Sequence, residues 1–301
     1  MLVKDLVKVQ FSLPSGVAEA AANLLTEEGG GVEQRDAETS DTLPSDTTQL
    51  LIWLPESGVQ ARVRKISTLL ESLKEMGQTV DPWSWSSEPV APEDWQEVYK
   101  QHFKVNQVGR YVVVKPTWET YEPRAQDLVV ELDPGMAFGT GLHASTVLVI
   151  HAMERMAHNQ PAPKSVVDLG TGTGILAIAA AKLWPATHVL AIDNDEIATK
   201  VCKENVERNG LESRIVIEHR SAKDLRGTFS LVLANLTAEL LKELQPAMRR
   251  HLDSFGHLII SGLVADAAPS VAKLYCKDLT MEPEYSEEHD GWRAYLLEVR
   301  E

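Results

Sequence analysis

The stretch VVDLGTGTG, residues 166–174, decides the fold, and the helical run ILAIAAAKL follows it directly. After an apolar strand, glycines at alternate positions leave backbone amides uncovered at the start of a helix, where a ligand can approach closely. Asp193 ends the next apolar run, HVLAID, 19 residues beyond Gly174. A carboxylate there can accept hydrogen bonds from both hydroxyls of a ribose. These features predict an adenosine-nucleoside site; the alternative is a tight turn with a helix cap.

The alternation of strands and helices continues to the end of the chain and predicts a sheet. Apolar runs such as RIVIEH, FSLVLANL and GHLIISGL are separated by helical segments, as expected where helices cover both faces of a parallel sheet. The last stretch, LTMEPEYSEEHDGWRAYLLEVR, instead predicts two strands joined by an HDG turn and paired antiparallel. We predict an α/β fold with a doubly wound, mostly parallel, Rossmann-like seven-stranded sheet.

The first 89 residues carry a different pattern. Their order of strand, helix, strand, strand, helix and strand, with Gly77 stopping the second helix, predicts a small ferredoxin-like α+β domain over residues 1–89. Residues 81–105 combine three tryptophans with prolines and carboxylates, which favours an aromatic plug between domains over a substrate-binding role. We therefore place a linker at residues 90–115 and the second domain at residues 116–301.

The formal net charge of −15 limits the partners of the protein. Nucleic-acid binding depends on Lys and Arg displacing condensed counterions, so no direct nucleic-acid binding is expected. A basic partner is easier to accommodate. The acidity is also explained by solubility alone.

Cysteine usage and hydropathy indicate a soluble cytoplasmic protein. Cys202 and Cys276 are the only cysteines, and neither belongs to a CxxC pair or has nearby His/Cys ligand spacing, so we expect no disulfide framework and no metal site. The first residues lack a basic segment followed by an apolar run, and nowhere do about 18 consecutive apolar residues occur. We therefore expect an unexported protein with no membrane partner.

The carboxylate within the glycine stretch discriminates between adenosine cofactors. Gly172, Gly174 and Ala177 satisfy the pattern GxGxx[GA], which leaves a nicotinamide oxidoreductase open. Asp168 precedes these glycines, where it would repel a pyrophosphate. The sulfonium and α-ammonium of S-adenosylmethionine are instead attracted by an acid. The charge argument therefore favours the methyl donor, with Asp168, Gly172 and Gly174 among its contacts.

These motifs resemble known families. DLGTGTG, AIDND and LVLANL are similar to the glycine loop, acidic strand end and reaction-site strand of class I S-adenosylmethionine-dependent methyltransferases. LDPGMAFGTGLHAST, NVERNG, ANLTAEL and EDWQEVYKQHF narrow the resemblance to the bacterial ribosomal protein L-eleven methyltransferase family, PrmA. The resemblance covers nearly the whole chain, although the first 89 residues match in pattern only.

The resemblance carries over to particular residues. Thr146, Gly170 and Asp193 match cofactor-contacting positions of the family, and Asn235 matches the asparagine that ends its fourth strand. The resemblance also implies a loop that closes over the methionine portion of the cofactor, formed here by Phe138, Gly139, Thr140 and Gly141. No acid in EHRSAKDL, after the third strand, stands out as a contact for the adenine.

Several of these residues have simpler explanations. Leu142 and Ala144 depart from the family's usual GTGTHPTT, which leaves the order of this loop open. Thr146 could simply cap the following helix, and Asn235 could only satisfy backbone groups in a turn. His143 is more readily explained as a structural or solvated residue than as a catalytic base.

The resemblance implies a reaction. It implies methylation of lysine side chains and the N-terminal amine of ribosomal protein L-eleven, a basic substrate, with S-adenosylhomocysteine as product. Asn235 would orient the amine, no metal is required, and residues 1–89 would recognise the protein substrate. We expect a monomer. The alternatives are a methyltransferase for another protein or a small molecule, and a non-catalytic nucleoside-binding protein.

Overall fold

The computed structural model describes residues 6–26, 32–37, 43–89, 103–133, 143–278 and 280–300. The chain divides into two compact units, residues 1–102 and 103–301. The division falls inside the predicted linker, of which residues 90–102 lie outside the described residues. None of the described helices is both long enough and apolar enough to span a membrane.

In its described residues, the first unit forms a four-stranded antiparallel sheet with two helices. Its elements are β1 (Leu6–Pro14), α1 (Ser15–Thr26), β2 (Glu33–Arg35), β3 (Thr47–Pro55), α2 (Glu56–Glu75) and β4 (Ser84–Pro89). The strands lie in the order β2-β3-β1-β4. Every second residue of β1, from Val7 to Leu13, is buried, because alternate side chains of a strand point to the same face. That face packs with Ile66 and Leu70 of α2 into one core.

The second unit begins with a small three-stranded sheet. Its strands are β5 (Asn106–Gln107), β6 (Val112–Pro116) and β7 (Leu128–Leu132). β6 pairs antiparallel with β5 and parallel with β7. The carboxylate of Glu154, on the following helix, accepts hydrogen bonds from the backbone amides of Arg110, Tyr111 and Val112 at 2.6–3.0 Å. This contact fixes the start of β6, because unsatisfied buried amides are costly.

The remainder of the second unit forms the large sheet and its helices. The elements are α3 (Ala144–Asn159), β8 (Ser165–Leu169), α4 (Ile175–Leu183), β9 (His188–Asp193), α5 (Glu196–Arg208), β10 (Ile215–His219), β11 (Phe229–Asn235), α6 (Ala238–Met248), β12 (Leu252–Val264), α7 (Ala268–Asp278), β13 (Met281–His289) and β14 (Trp292–Val299). The strand order is β10-β9-β8-β11-β12-β14-β13. The predicted doubly wound, mostly parallel seven-stranded sheet is confirmed.

The strand pairing within this sheet shows at which edge a ligand is expected to bind. β10, β9, β8, β11 and β12 are mutually parallel, and β14 runs antiparallel to β12 and β13, as the HDG turn predicted. The chain winds outward from β8 through β9 to β10 and then returns to β11 on the other side of β8. Ligands of such sheets bind beyond the carboxyl ends of the strands where this reversal occurs. Here those are the ends of β8, β9 and β11.

Candidate functional site

The loop after β8 is built from glycines in a left-handed conformation. Gly170, Gly172 and Gly174 have φ angles of +69°, +55° and +86°, a region that residues with a Cβ seldom adopt. Space is also lacking: a Cβ at Gly170 would lie 2.7 Å from Leu236 Cδ2, and one at Gly174 would lie 2.7 Å from Cys202 Sγ. Gly174 is also the N-cap of α4. The loop therefore presents bare backbone at a helix N-terminus.

Asp168 lies in β8 just before this loop and is 1% exposed. Its Oδ2 accepts a hydrogen bond from the Thr171 hydroxyl at 2.7 Å, whereas Oδ1 is buried and makes no hydrogen bond of regular geometry in the described part of the chain. Burial raises the pKa of Asp168 to about 7, and the Thr171 hydroxyl and the backbone amide of Ala177 oppose that rise. A positive ligand group beside this carboxyl would favour its ionised form.

Asp193 joins the end of β9 to the glycine loop. Its Oδ2 accepts a hydrogen bond from the amide of Gly172 at 2.9 Å, and its Oδ1 accepts one from the amide of Asp195 at 3.0 Å. Two further amides of the loop, those of Gly170 and Thr171, donate to the carbonyl of Ile192. The second acid predicted from the sequence therefore lies at the loop and helps to hold its shape.

Asn235 and Thr146 meet at the end of β11, although 89 residues separate them in the chain. The side-chain amide of Asn235 donates to the hydroxyl of Thr146, which is buried in the first turn of α3, at 3.2 Å. In the neighbouring strand β12, Ser261 pairs with Asn235, and its hydroxyl donates to the carbonyl of Ser145 at 2.9 Å. The start of α3 is thus fastened to the ends of two parallel strands.

His143 has a structural position at the start of α3. It is the N-cap residue, and its Nδ1 accepts a hydrogen bond from the amide of Ser145. The ring packs against Trp292 with centroids 4.6 Å apart, and burial lowers the pKa of His143. The structural explanation is therefore supported for His143. The suggestion that Thr146 caps this helix is wrong, because His143 does so.

Asn205 adds a contact that the sequence reasoning did not assign. From the buried face of α5, its side-chain amide donates to the carbonyls of Asp133 and Thr173 at 3.0 and 2.9 Å, while its Oδ1 accepts from the amide of Asp133 at 2.9 Å. One turn later, Asn209 makes a similar pair of bonds to both backbone groups of Glu131. Asn205 therefore connects the glycine loop to the end of β7. The sequence does contain an indication of this contact. The two asparagines of NVERNG are four residues apart, which places them on one face of a helix.

Comparison with a family sequence model identifies the protein family of this chain. The sequence model described as ribosomal protein L11 methyltransferase (PrmA) matches residues 5–299. The chain belongs to the ribosomal protein L11 methyltransferase family. It is therefore an S-adenosylmethionine-dependent methyltransferase, and the predicted family and enzyme class are confirmed. The oxidoreductase alternative is wrong.

Individual members of the L11 methyltransferase family agree with this assignment. The curated ribosomal protein L11 methyltransferase of Symbiobacterium thermophilum is 34% identical over 307 residues, covering 96% of this chain and 98% of that protein. The protein of the same name from Syntrophotalea carbinolica is 34% identical over 267 residues, covering 86% of this chain and 87% of that protein. A crystal structure of ribosomal protein L11 methylase from Lactobacillus delbrueckii subsp. bulgaricus is similar with a TM-score of 0.60 and 32% identity, over 66% of this chain and all of that one.

Not every predicted site residue can be placed within this family fold. The structure brings together Asp168, the three loop glycines and Asp193, and it joins Asn235 to Thr146. Phe138, Gly139, Thr140 and Gly141, together with the departure at Leu142, lie outside the described residues. Their predicted contacts with the cofactor stay predictions.

Proposed function

We propose that this protein transfers methyl groups from S-adenosylmethionine to lysine side chains and to the N-terminal amine of ribosomal protein L11. The observation that carries the proposal is the family match over residues 5–299, which spans both units. The curated relatives carry the name ribosomal protein L11 methyltransferase. A basic, lysine-bearing substrate also suits a chain with a formal net charge of −15.

The residues at the carboxyl ends of β8 and β9 fit the methyl donor. The buried Asp168 has one oxygen that makes no hydrogen bond of regular geometry to a described residue, and a sulfonium or α-ammonium would supply the missing positive charge. Asp193 keeps lone pairs for ribose hydroxyls beyond the two backbone amides it accepts. We assign the following residues to cofactor binding: Thr146, Asp168, Gly170, Gly172, Gly174, Asp193, Asn235 and the loop Phe138, Gly139, Thr140 and Gly141.

Asn235 is assigned the catalytic task of orienting the amine. Its side-chain nitrogen already donates to Thr146, which fixes the amide plane and leaves its carbonyl oxygen as an acceptor for an N–H of the substrate. That bond would turn the nitrogen lone pair toward the methyl group. When bound, the donor supplies an activated methyl on a good leaving group, so alignment and exclusion of water are the protein's main contributions.

Deprotonation of the substrate needs no dedicated base in this scheme. A lysine with an ordinary pKa of about 10.4 is mostly protonated at neutral pH, whereas an N-terminal amine near 8 is easier to deprotonate. The proton can pass to water before the amine accepts the methyl group. His143 is committed to capping α3, which is consistent with this scheme.

The first unit is assigned to recognition of the protein substrate. Its two helices, its antiparallel pairing and its strand order β2-β3-β1-β4 support a ferredoxin-like α+β domain. We assign residues 1–89 to this domain, residues 90–115 to a linker whose last part carries β5 and most of β6 of the second unit, and residues 116–301 to the methyltransferase domain. We further propose that the enzyme acts as a cytoplasmic monomer that does not bind nucleic acid directly.

Intact-mass analysis of the substrate tests the proposed function. Purified ribosomal protein L11 incubated with the full-length enzyme and S-adenosylmethionine should gain mass in whole methyl increments, and fragmentation should place them on lysines and the N-terminal nitrogen. The matched reaction with Asn235→Ala controls for contaminating methyltransferases in the preparation. An unchanged mass, with the enzyme folded and binding S-adenosylhomocysteine, would rule out L11 as the substrate.

The pKa of Asp168 gives a prediction about stability and pH. Because its folded pKa is about 7 against an ordinary 3.8, its protonated form stabilises the ligand-free protein. That contribution is complete below about pH 4 and is lost as the pH rises through 7, by up to roughly 4 kcal/mol. Asp168→Asn cannot ionise and should lack this loss. Urea unfolding of both ligand-free proteins between pH 4.5 and 8 measures it, and equal pH slopes in the two proteins would contradict the prediction.

A further inference from the structure

Three polar side chains converge on neighbouring strands of the large sheet, away from the site described above. They are His257 of β12, Glu284 of β13 and Glu298 of β14, and their candidate ligand atoms all lie within 4.8 Å of one another. His257 and Glu298 are directly opposed in the antiparallel pair, so their side chains share one face of the sheet.

Glu284 lies at an irregularity of β13. Pro283 pairs with Leu297 and Tyr285 pairs with Leu296, so Glu284 is an extra residue without a partner on β14. Glu282 is directly opposite Glu298, and Glu284 follows Glu282 by two residues. Alternation therefore places Glu284 on the face that His257 and Glu298 share, beside the irregularity.

His257 is the buried member of the cluster, whereas Glu298 is half-buried and Glu284 is exposed as a residue. The side chains of His257, Glu284 and Glu298 are 11%, 26% and 19% exposed. Nε2 of His257 is buried and makes no hydrogen bond to any described residue, although Glu284 Oε2 lies 3.4 Å away. Two carboxylates held this close are costly to bury without a cation. Arg300, which is half exposed, forms ion pairs with Glu298 at 3.3 Å and with Glu282 at 3.2 Å.

The surroundings also orient one of the carboxylates. The side-chain amide of Gln160 donates to both oxygens of Glu284, at 2.8 and 3.1 Å. Outer hydrogen bonds of this kind hold ligand carboxylates in place in metal sites. One imidazole nitrogen and two carboxylate oxygens suit zinc, which often takes three protein ligands and a water, better than magnesium, which prefers six oxygens.

We propose that His257, Glu284 and Glu298 bind a divalent transition-metal ion of the zinc type. The ion joins β12, β13 and β14. It lies apart from the methyl-transfer site, because His257 pairs with Leu231 near the start of β11 whereas Ser261 pairs with Asn235 at its end. Those four residues of strand correspond to about 13 Å. The site is therefore assigned a structural role. The cysteine spacing, from which we expected no metal site, could not indicate it because no cysteine takes part.

Calorimetric titration of metal-free, full-length protein with zinc chloride tests this site. We expect saturable binding of one ion, weakened roughly 100-fold in His257→Ala and in the nearly isosteric Glu284→Gln. His289→Ala removes an exposed histidine beside Asp290, and Cys276→Ser removes a partly exposed thiol. Both controls should retain the wild-type affinity, and magnesium chloride should give no saturable binding.

The outcomes separate this site from the proposed function. Absence of saturable zinc binding, or wild-type affinity in Glu284→Gln, would overturn the metal site. Circular dichroism establishes whether each variant is folded, and Glu284→Gln keeps the test decisive if His257→Ala does not fold. Methyl transfer to ribosomal protein L11 should continue in metal-free Glu284→Gln, so failure of the metal site leaves the proposed reaction untouched.

Discussion

Replacing Asn235 with alanine is expected to lower kcat for methylation of ribosomal protein L11 by roughly 100- to 1,000-fold. The dissociation constant for S-adenosylhomocysteine should change by less than about tenfold. The difference arises because Asn235 would act mainly on the incoming amine, whereas we propose that the glycine loop and Asp193 hold the cofactor. Single-turnover rates and calorimetry measure the two quantities separately.

A second, milder variant tests the same role of Asn235 through its contact with Thr146. Thr146→Val keeps the shape of the side chain but removes the hydroxyl that accepts from Asn235 at 3.2 Å. The amide then loses one restraint while its carbonyl oxygen is retained, so we expect a fall in kcat of about tenfold. Asn159→Ala, at the far end of α3, is the control and should keep wild-type activity. Near-normal kcat in Asn235→Ala would contradict the assigned catalytic role.

The parts of the fold that could be predicted are those set by local patterns. The hairpin of β13 and β14 turns at Asp290 and Gly291, whose φ angles of +47° and +74° are those that an Asp-Gly pair tolerates in tight hairpins. The glycine loop was likewise visible, because its left-handed positions exclude most other residues. The bulge at Glu284 could not be predicted from the sequence, because it depends on the pairing register between β13 and β14 rather than on the sequence of β13 alone.

The same distinction applies to the candidate site. Asp193 could be predicted because it follows the glycine loop at a regular distance along one strand–helix–strand unit. The family resemblance named Asn235 and Thr146 separately as site residues but did not predict the hydrogen bond between them, because no local rule relates residues so far apart. His143 as a helix cap was missed because histidine is not among the preferred capping residues. Asn205 was missed because its partner Asp133 is 72 residues away.

Asn205→Ala is expected to lower the free energy of unfolding by about 3 kcal/mol. The substitution leaves the half-buried amide and carbonyl of Asp133 and the buried carbonyl of Thr173 without their side-chain partner. It also releases the glycine loop from the end of β7. Because Thr173 lies between two of the loop glycines, we expect the affinity for S-adenosylhomocysteine to fall roughly tenfold. Urea unfolding and calorimetry measure the two effects.

Asn209→Ala is the matched control, because it removes the same type of side chain four residues later, at the C-cap of α5. Asn209 bonds to Glu131 and to the carbonyl of Asn205 but not to the glycine loop. Its loss should therefore cost about 1–2 kcal/mol of stability and leave the affinity for S-adenosylhomocysteine within about twofold. If both variants weakened that affinity equally, the effect would reflect general loosening of α5. If only Asn205→Ala weakens the affinity for S-adenosylhomocysteine, the cause is the lost bond to Thr173. Of the two asparagines, only Asn205 makes a hydrogen bond to the glycine loop.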